Sequence, residues 1–115
     1  MKLIKADPSL DHILTEEEAE AKLHKEGYVQ VFKWHDVPGA SYPRHRHECD
    51  ECLWVLKGEL IIATKDEEFH LLPGDRLYLP ARKPHTAAVP EAHSVTYLVG
   101  QKEVVKTPPS EHSSS

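Results

Sequence analysis

The sequence has no apolar run approaching the roughly 20 residues that a membrane-spanning helix requires. Its opening residues, Met1-Lys2-Leu3-Ile4-Lys5-Ala6-Asp7, do not have the pattern of a secretory leader. Only two cysteines occur, Cys49 and Cys52, too few for a disulfide-stapled secreted scaffold. Positive charge is also short, with 14 Lys and Arg against 19 Asp and Glu and a formal net charge of -5 with histidine neutral. A nucleic-acid partner requires a basic face that this balance does not supply. Internal repeats are absent too. Together these absences predict a cytoplasmic protein in a reducing compartment, with no nucleic-acid and no membrane partner.

The 115 residues suffice for one domain, and a fold of this size buries roughly two-thirds of the surface its unfolded chain exposes. With 39% hydrophobic and 29% charged residues, the composition is that of a globular protein with a core. Nine histidines and nine prolines stand against five glycines. The histidines direct attention to a metal site, and the prolines to many short strands ended by turns.

Three segments are expected. Residues 1–27 form an arm followed by a short helix. In Thr15-Glu16-Glu17-Glu18 the Thr15 hydroxyl and the Glu18 carboxylate can satisfy each other's backbone amides as a capping box. The acidic first turn and the later Lys22 and Lys25 suit the helix dipole, and Gly27 is placed to end it. This predicts a helix over 16–26 whose thin apolar face, Ala19 and Leu23, caps a larger body. Residues 28–106 alternate short β-rich runs with turn residues. Strands are predicted over 28–34, 51–56, 59–64, 68–72, 76–79, 85–89, 94–99 and 103–106, a pattern that reads as an all-β sandwich or barrel. Residues 107–115 have nothing to bury and are expected to be disordered.

The chemistry gathers in the segment from Gly39 to Gly58. Residues two apart on a strand face the same way, so His45 and His47 can present both imidazoles to one point, with Glu51 a further even step along. His85 stands in a Pro-rich loop before another strand. Three neutral imidazoles and a carboxylate suit a divalent first-row metal, and a six-coordinate ion there keeps two positions for water, substrate or dioxygen.

Gly39, His45, His47, Glu51 and Gly58 match every fixed position of the first cupin motif. Gly74, Pro80 and His85 follow at the spacing of the second. The chain therefore resembles the cupin superfamily as a small single-domain member. Two positions of the second motif depart: Arg82 replaces the usual glycine, and Val89 replaces an asparagine that is not a ligand in the family. The resemblance implies an all-β cupin-type double-stranded β-helix, a jelly-roll barrel. It also implies that His45, His47, Glu51 and His85 bind one divalent transition metal: iron, manganese, nickel, zinc, copper or cobalt.

Other residues are read more plainly. Cys49-Asp50-Glu51-Cys52 has neither a second cysteine pair for zinc nor a following βα unit, so both cysteines are expected to be small buried residues. After Glu51, the run Cys52-Leu53-Trp54-Val55-Leu56 is apolar on both faces. Leu53 and Val55 turn inward with Glu51, leaving Cys52, Trp54 and Leu56 to be covered by the N-terminal helix or by a second subunit. Small cupins commonly pair through such a face, so a homodimer is expected. Arg44, Arg46, Arg76, Arg82 and Lys83 are read as a solvated rim, with Arg82 worth testing for an anionic substrate. Tyr42, Tyr78, Tyr97, Trp34 and His93 are read as packing or edge residues rather than pocket walls. His12, His24, His70 and His112 are expected at the surface, as are Glu48 and Asp50, so no catalytic base stands out.

Fold does not name a reaction. The favoured reading is a metal-dependent enzyme of dioxygenase, isomerase or lyase type on a small oxygen-rich molecule. The rival is a non-catalytic module that binds or senses a small ligand and acts through a partner protein.

Overall fold

The computed structural model describes residues 1–6 and 15–103. In chain order the elements are β1 (Lys2–Ile4), α1 (Glu16–Lys25), β2 (Gln30–Asp36), β3 (Ser41–His45), β4 (Glu51–Lys57), β5 (Leu60–Ala63), β6 (Glu68–Leu71), β7 (Arg76–Leu79), β8 (His85–Ala88) and β9 (Val95–Gln101). The strands form two antiparallel sheets, ordered β1-β7-β4-β9-β2 and β3-β8-β5-β6. The jelly-roll expectation holds. Among the described residues no helix is long and apolar enough to cross a membrane.

The main core lies between the sheets. Leu53 and Val55 of β4, Leu77 and Leu79 of β7, and Val95, Tyr97 and Val99 of β9 meet Leu60 and Ile62 of β5, Leu71 of β6 and Ala87 of β8. Each set follows the two-residue period of a strand with one face inward. Gly58 turns β4 toward β5 with φ 81°, and a Cβ there would stand 2.0 Å from the Ser94 carbonyl oxygen, so only glycine fits.

Helix α1 starts where the capping box predicts: the Glu18 amide donates to Thr15 Oγ1 at 3.1 Å, and the Thr15 amide to Glu18 Oε1 at 2.9 Å. It lies on the outer face of the five-stranded sheet. Ala19 and Leu23 pack with Tyr28, Cys52, Trp54 and Leu98 in a second core cluster. The face that the dimer argument rested on is thus covered within the chain. Arg76 seals its edge, with its guanidinium 4.6 Å from the Trp54 ring centroid and its Nη1 3.0 Å from Glu26 Oε2.

Three further expectations need revision. Residues 1–6 do more than trail: β1 joins the sheet beside β7, and Asp75 anchors the arm by accepting from Lys5 Nζ at 2.7 Å and the Ala6 amide at 2.8 Å. A strand missing from the sequence reading, β3, forms the edge of the second sheet. Its Pro43 sits where an edge strand tolerates the missing donor. Finally, Glu103 lies in no strand; the rest of the strand expected over 103–106, the tail 107–115, His12 and His112 lie outside the described residues.

Candidate metal centre

β3 and β8 pair so that His45 and His85 are cross-strand partners, with the ladder shifted between Tyr42 and His45. His47 arrives differently. The strand ends at His45, so alternation does not align the two imidazoles as the sequence reading supposed. Instead the chain turns back toward β4, and the Arg82 amide donates to the His47 carbonyl at 2.7 Å. That bond fastens the first histidine segment to the loop carrying His85.

The three rings converge. Their centroids are 4.9 Å apart for His45–His47, 4.5 Å for His45–His85 and 5.4 Å for His47–His85. One potential ligand atom from each lies within 4.8 Å of the others. His45 Nδ1 is 2.8 Å from the Pro43 carbonyl oxygen, and His85 Nδ1 is 2.9 Å from that of Lys83. A carbonyl only accepts, so each Nδ1 carries the proton and Nε2 keeps its lone pair. Burial pushes the His85 imidazole below its ordinary pKa, which keeps it neutral and able to ligate.

Glu51 opens β4 with 2% of its surface exposed. Its Oε2 accepts from Gln101 Nε2 at 2.8 Å and lies 3.6 Å from His47 Nδ1. The carboxylate stands beside the three-histidine group without joining it. Burial pushes its pKa up to about 7, a rise that the Gln101 amide opposes. The donor set fits a divalent cation on these grounds: two imidazoles have their lone pairs turned by carbonyls, a third is adjacent, and the desolvated carboxylate has no Lys or Arg ion pair among the described residues.

The remaining candidates distribute around this centre. Asp50 is exposed, but its Oδ1 accepts from the Ala81 amide at 2.7 Å, which commits it to holding the His85 loop. Glu48, Arg44, Arg46, Arg82 and Lys83 are exposed, as expected of a rim. Arg76 and Tyr78 both bond Glu26 on the outer face of the five-stranded sheet. Arg82 holds φ 61°, the left-handed conformation that the family's glycine would adopt freely. Val89 is buried in the main core, consistent with a harmless departure. Cys49 and Cys52 are free and buried, as expected. Exposed His70 has partners that spacing did not reveal, lying between Glu59 and Glu68 at 3.0 and 2.8 Å.

Two groups escaped the sequence reading. Gln101 closes the inward series Val95, Tyr97, Val99, and its polarity at an inward step was the available signal. Asp36 is the other: Trp34 Nε1 donates to its Oδ2 at 2.9 Å, the Tyr97 hydroxyl donates to the same oxygen at 3.4 Å, and the Tyr42 hydroxyl donates to Oδ1. Three aromatics read as separate packing residues thus share one buried carboxylate.

Comparison with known proteins places the fold. Residues 32–100 match the family of cupin domains. Auxin-binding protein T85 of Nicotiana tabacum is 30% identical over 73 residues, covering 55% of this chain and 39% of the relative. The match thus spans about two-fifths of that protein's length. Among solved structures, DMSP lyase DddQ from Ruegeria pomeroyi superposes with a TM-score of 0.59 at 23% identity, covering 68% of this chain and 40% of that one. The polyketide cyclase RemF from Streptomyces resistomycificus gives 0.57 at 21% identity, covering 71% and 63%. At such identities the likeness concerns the fold.

Proposed function

This chain belongs to the cupin family, and from that membership we propose that it is a metal-dependent enzyme of dioxygenase, isomerase or lyase type acting on a small oxygen-rich molecule. His45, His47, His85 and Glu51 would hold one divalent transition metal. The observation that carries the reading is the convergence of three imidazoles within 4.8 Å, each from a different position in the chain. Such an ion, when bound, supplies Lewis acidity toward a substrate oxygen or, as iron, chemistry with dioxygen. The chain's own contribution is orientation: Pro43 and Lys83 fix the histidine tautomers, and Arg82 and Asp50 hold the two ligand segments together. The names of two structural relatives, a lyase and a cyclase, favour catalysis on this fold.

A second reading has an observation of its own, because the tobacco relatives are named for binding rather than turnover. Here the same pocket would hold a small ligand without converting it. Metal analysis of the protein from its native host, followed by oxygen uptake and turnover assays on small phenols, thiols and keto acids, separates the two. Turnover establishes the enzyme; saturable binding without turnover across the panel establishes the module. A homodimer would have to use a surface other than the α1-covered face. Two free, buried thiols fit a cytoplasmic location.

A further inference from the structure

The inner face of β9 reads Val95, Tyr97, Val99, Gln101, all buried. The first three fill the core, and the fourth breaks the series with a carboxamide at 1% exposure. Its place is specific. Gln101 is the cross-strand partner of Glu51, and its Nε2 donates to Glu51 Oε2 at 2.8 Å. Ionised, as a metal ligand must be, Glu51 only accepts, so the amide nitrogen faces Glu51 and Gln101 Oε1 faces away. That oxygen is buried and without a hydrogen-bond partner among the described residues. Leaving an amide carbonyl unpaired in the interior is costly, and an apolar residue continuing the series would avoid the cost. What the amide offers in return is its one bond, and that bond goes to Glu51.

We propose that Gln101 is a positioning residue of the metal centre, holding Glu51 beside His47 so that its carboxylate is presented to the ion in one orientation. This rests on the metal-binding reading above. A neutral amide suits the task better than Lys or Arg, because it supplies the hydrogen bond without a charge that would repel a divalent cation. Its bond holds Glu51 Oε2, the same oxygen that lies 3.6 Å from His47 Nδ1. Gln101 itself touches neither ion nor substrate in this role; it acts through Glu51.

Cobalt(II) titration of the purified protein tests this, using wild type, Gln101→Leu and Glu51→Gln, with thermal melting to establish folding. The expected result is affinity in Gln101→Leu weakened by about 10- to 100-fold, the range seen when partners of metal ligands are removed. Its visible cobalt spectrum should also move toward that of Glu51→Gln. Wild-type affinity and spectrum in a folded Gln101→Leu would overturn the role of Gln101 while leaving the metal site standing. No cobalt uptake by wild type would overturn the metal site, and the role of Gln101 with it. Should Gln101→Leu not fold, Gln101→Met, unbranched throughout and of similar length to Gln, takes its place. A readout on the unaltered protein is also available: the Gln101 side-chain amide resonances should shift on addition of zinc(II), and resonances indifferent to zinc in a protein that binds it would overturn the proposal.

Discussion

His45 and His85, cross-strand partners on β3 and β8, each direct Nδ1 at the carbonyl oxygen two residues earlier, at 2.8 and 2.9 Å. The same local turn, made twice, gives both rings the same tautomer. Nitrogen-detected NMR of the metal-free protein at pH 8 should therefore show both residues protonated at Nδ1. An Nε2-protonated majority at either would contradict the arrangement. Replacing His45 and His47 together by Ala, or His85 alone, should take bound metal from about one ion per chain to none by elemental analysis.

Glu51 gives the metal-free protein a pH dependence of definite sign. Its folded pKa, about 7, lies above the ordinary carboxyl value of 4.5, so the folded state binds more protons between these values. Its contribution to stability is complete below about pH 4.5 and is lost as pH rises through 7, by up to about 3 kcal/mol. His85, whose folded pKa is depressed, acts in the opposite direction and gains stability as pH rises toward 6.5. The Glu51→Gln variant isolates the first effect. Without metal it should unfold at higher denaturant than wild type at pH 8, with the difference shrinking toward pH 4.

Arg82 occupies a left-handed conformation at φ 61°. Arg82→Gly should stabilise the protein by about 1 kcal/mol relative to Arg82→Ala, because the strain on a residue with a Cβ exceeds the entropic penalty of glycine. Denaturant midpoints of the three proteins measure it. Equal midpoints for the Gly and Ala variants would show that the loop relaxes around the side chain.

Asp36 collects donors from Trp34, Tyr42 and Tyr97, on β2, β3 and β9. Asp36→Ala strands all three and should cost roughly 3 kcal/mol. Tyr97→Phe, which removes a single long bond, should cost about 1 kcal/mol or less. Urea unfolding measures both.

Leu23, fully buried on the inner face of α1, packs with Cys52 and shields it. Leu23→Ala should cost about 3 kcal/mol and raise the rate at which Cys52 reacts with a thiol reagent in the folded protein. Burial holds the Cys52 thiol well above its ordinary pKa, up to about 12, so in wild type it should react slowly even at pH 9.

The elements legible in the sequence are those whose determinants are local. Arg76-Leu77-Tyr78-Leu79 alternates between Pro73-Gly74 and Pro80, and β7 spans those four residues. Thr15 and Glu18 announce α1 within one turn. What stayed hidden depends on distant partners. Lys2–Ile4 is a strand because the edge of β7 offers it a ladder, which no property of those three residues reveals. The rings of His45 and His47 lie 4.9 Å apart, although β3 ends at His45 and His47 stands beyond it, its carbonyl accepting from the distant Arg82 amide. Gln101 shows its polarity at an inward step, but not its partner, because the carboxylate it meets lies 50 positions earlier in the chain. The alternative covers for Trp54 could not be separated by pattern alone, since a helix of the same chain and a neighbouring subunit bury the same face equally well.

The contact between the Arg82 amide and the His47 carbonyl has an evolutionary corollary. The two histidine-bearing segments are clasped backbone to backbone, so neither can be recut independently. A graft that imports one segment from a relative would arrive with its clasp unmatched. Drift in chemistry along this lineage should therefore leave side chains in either segment free to vary, with the main-chain course inherited as a single piece.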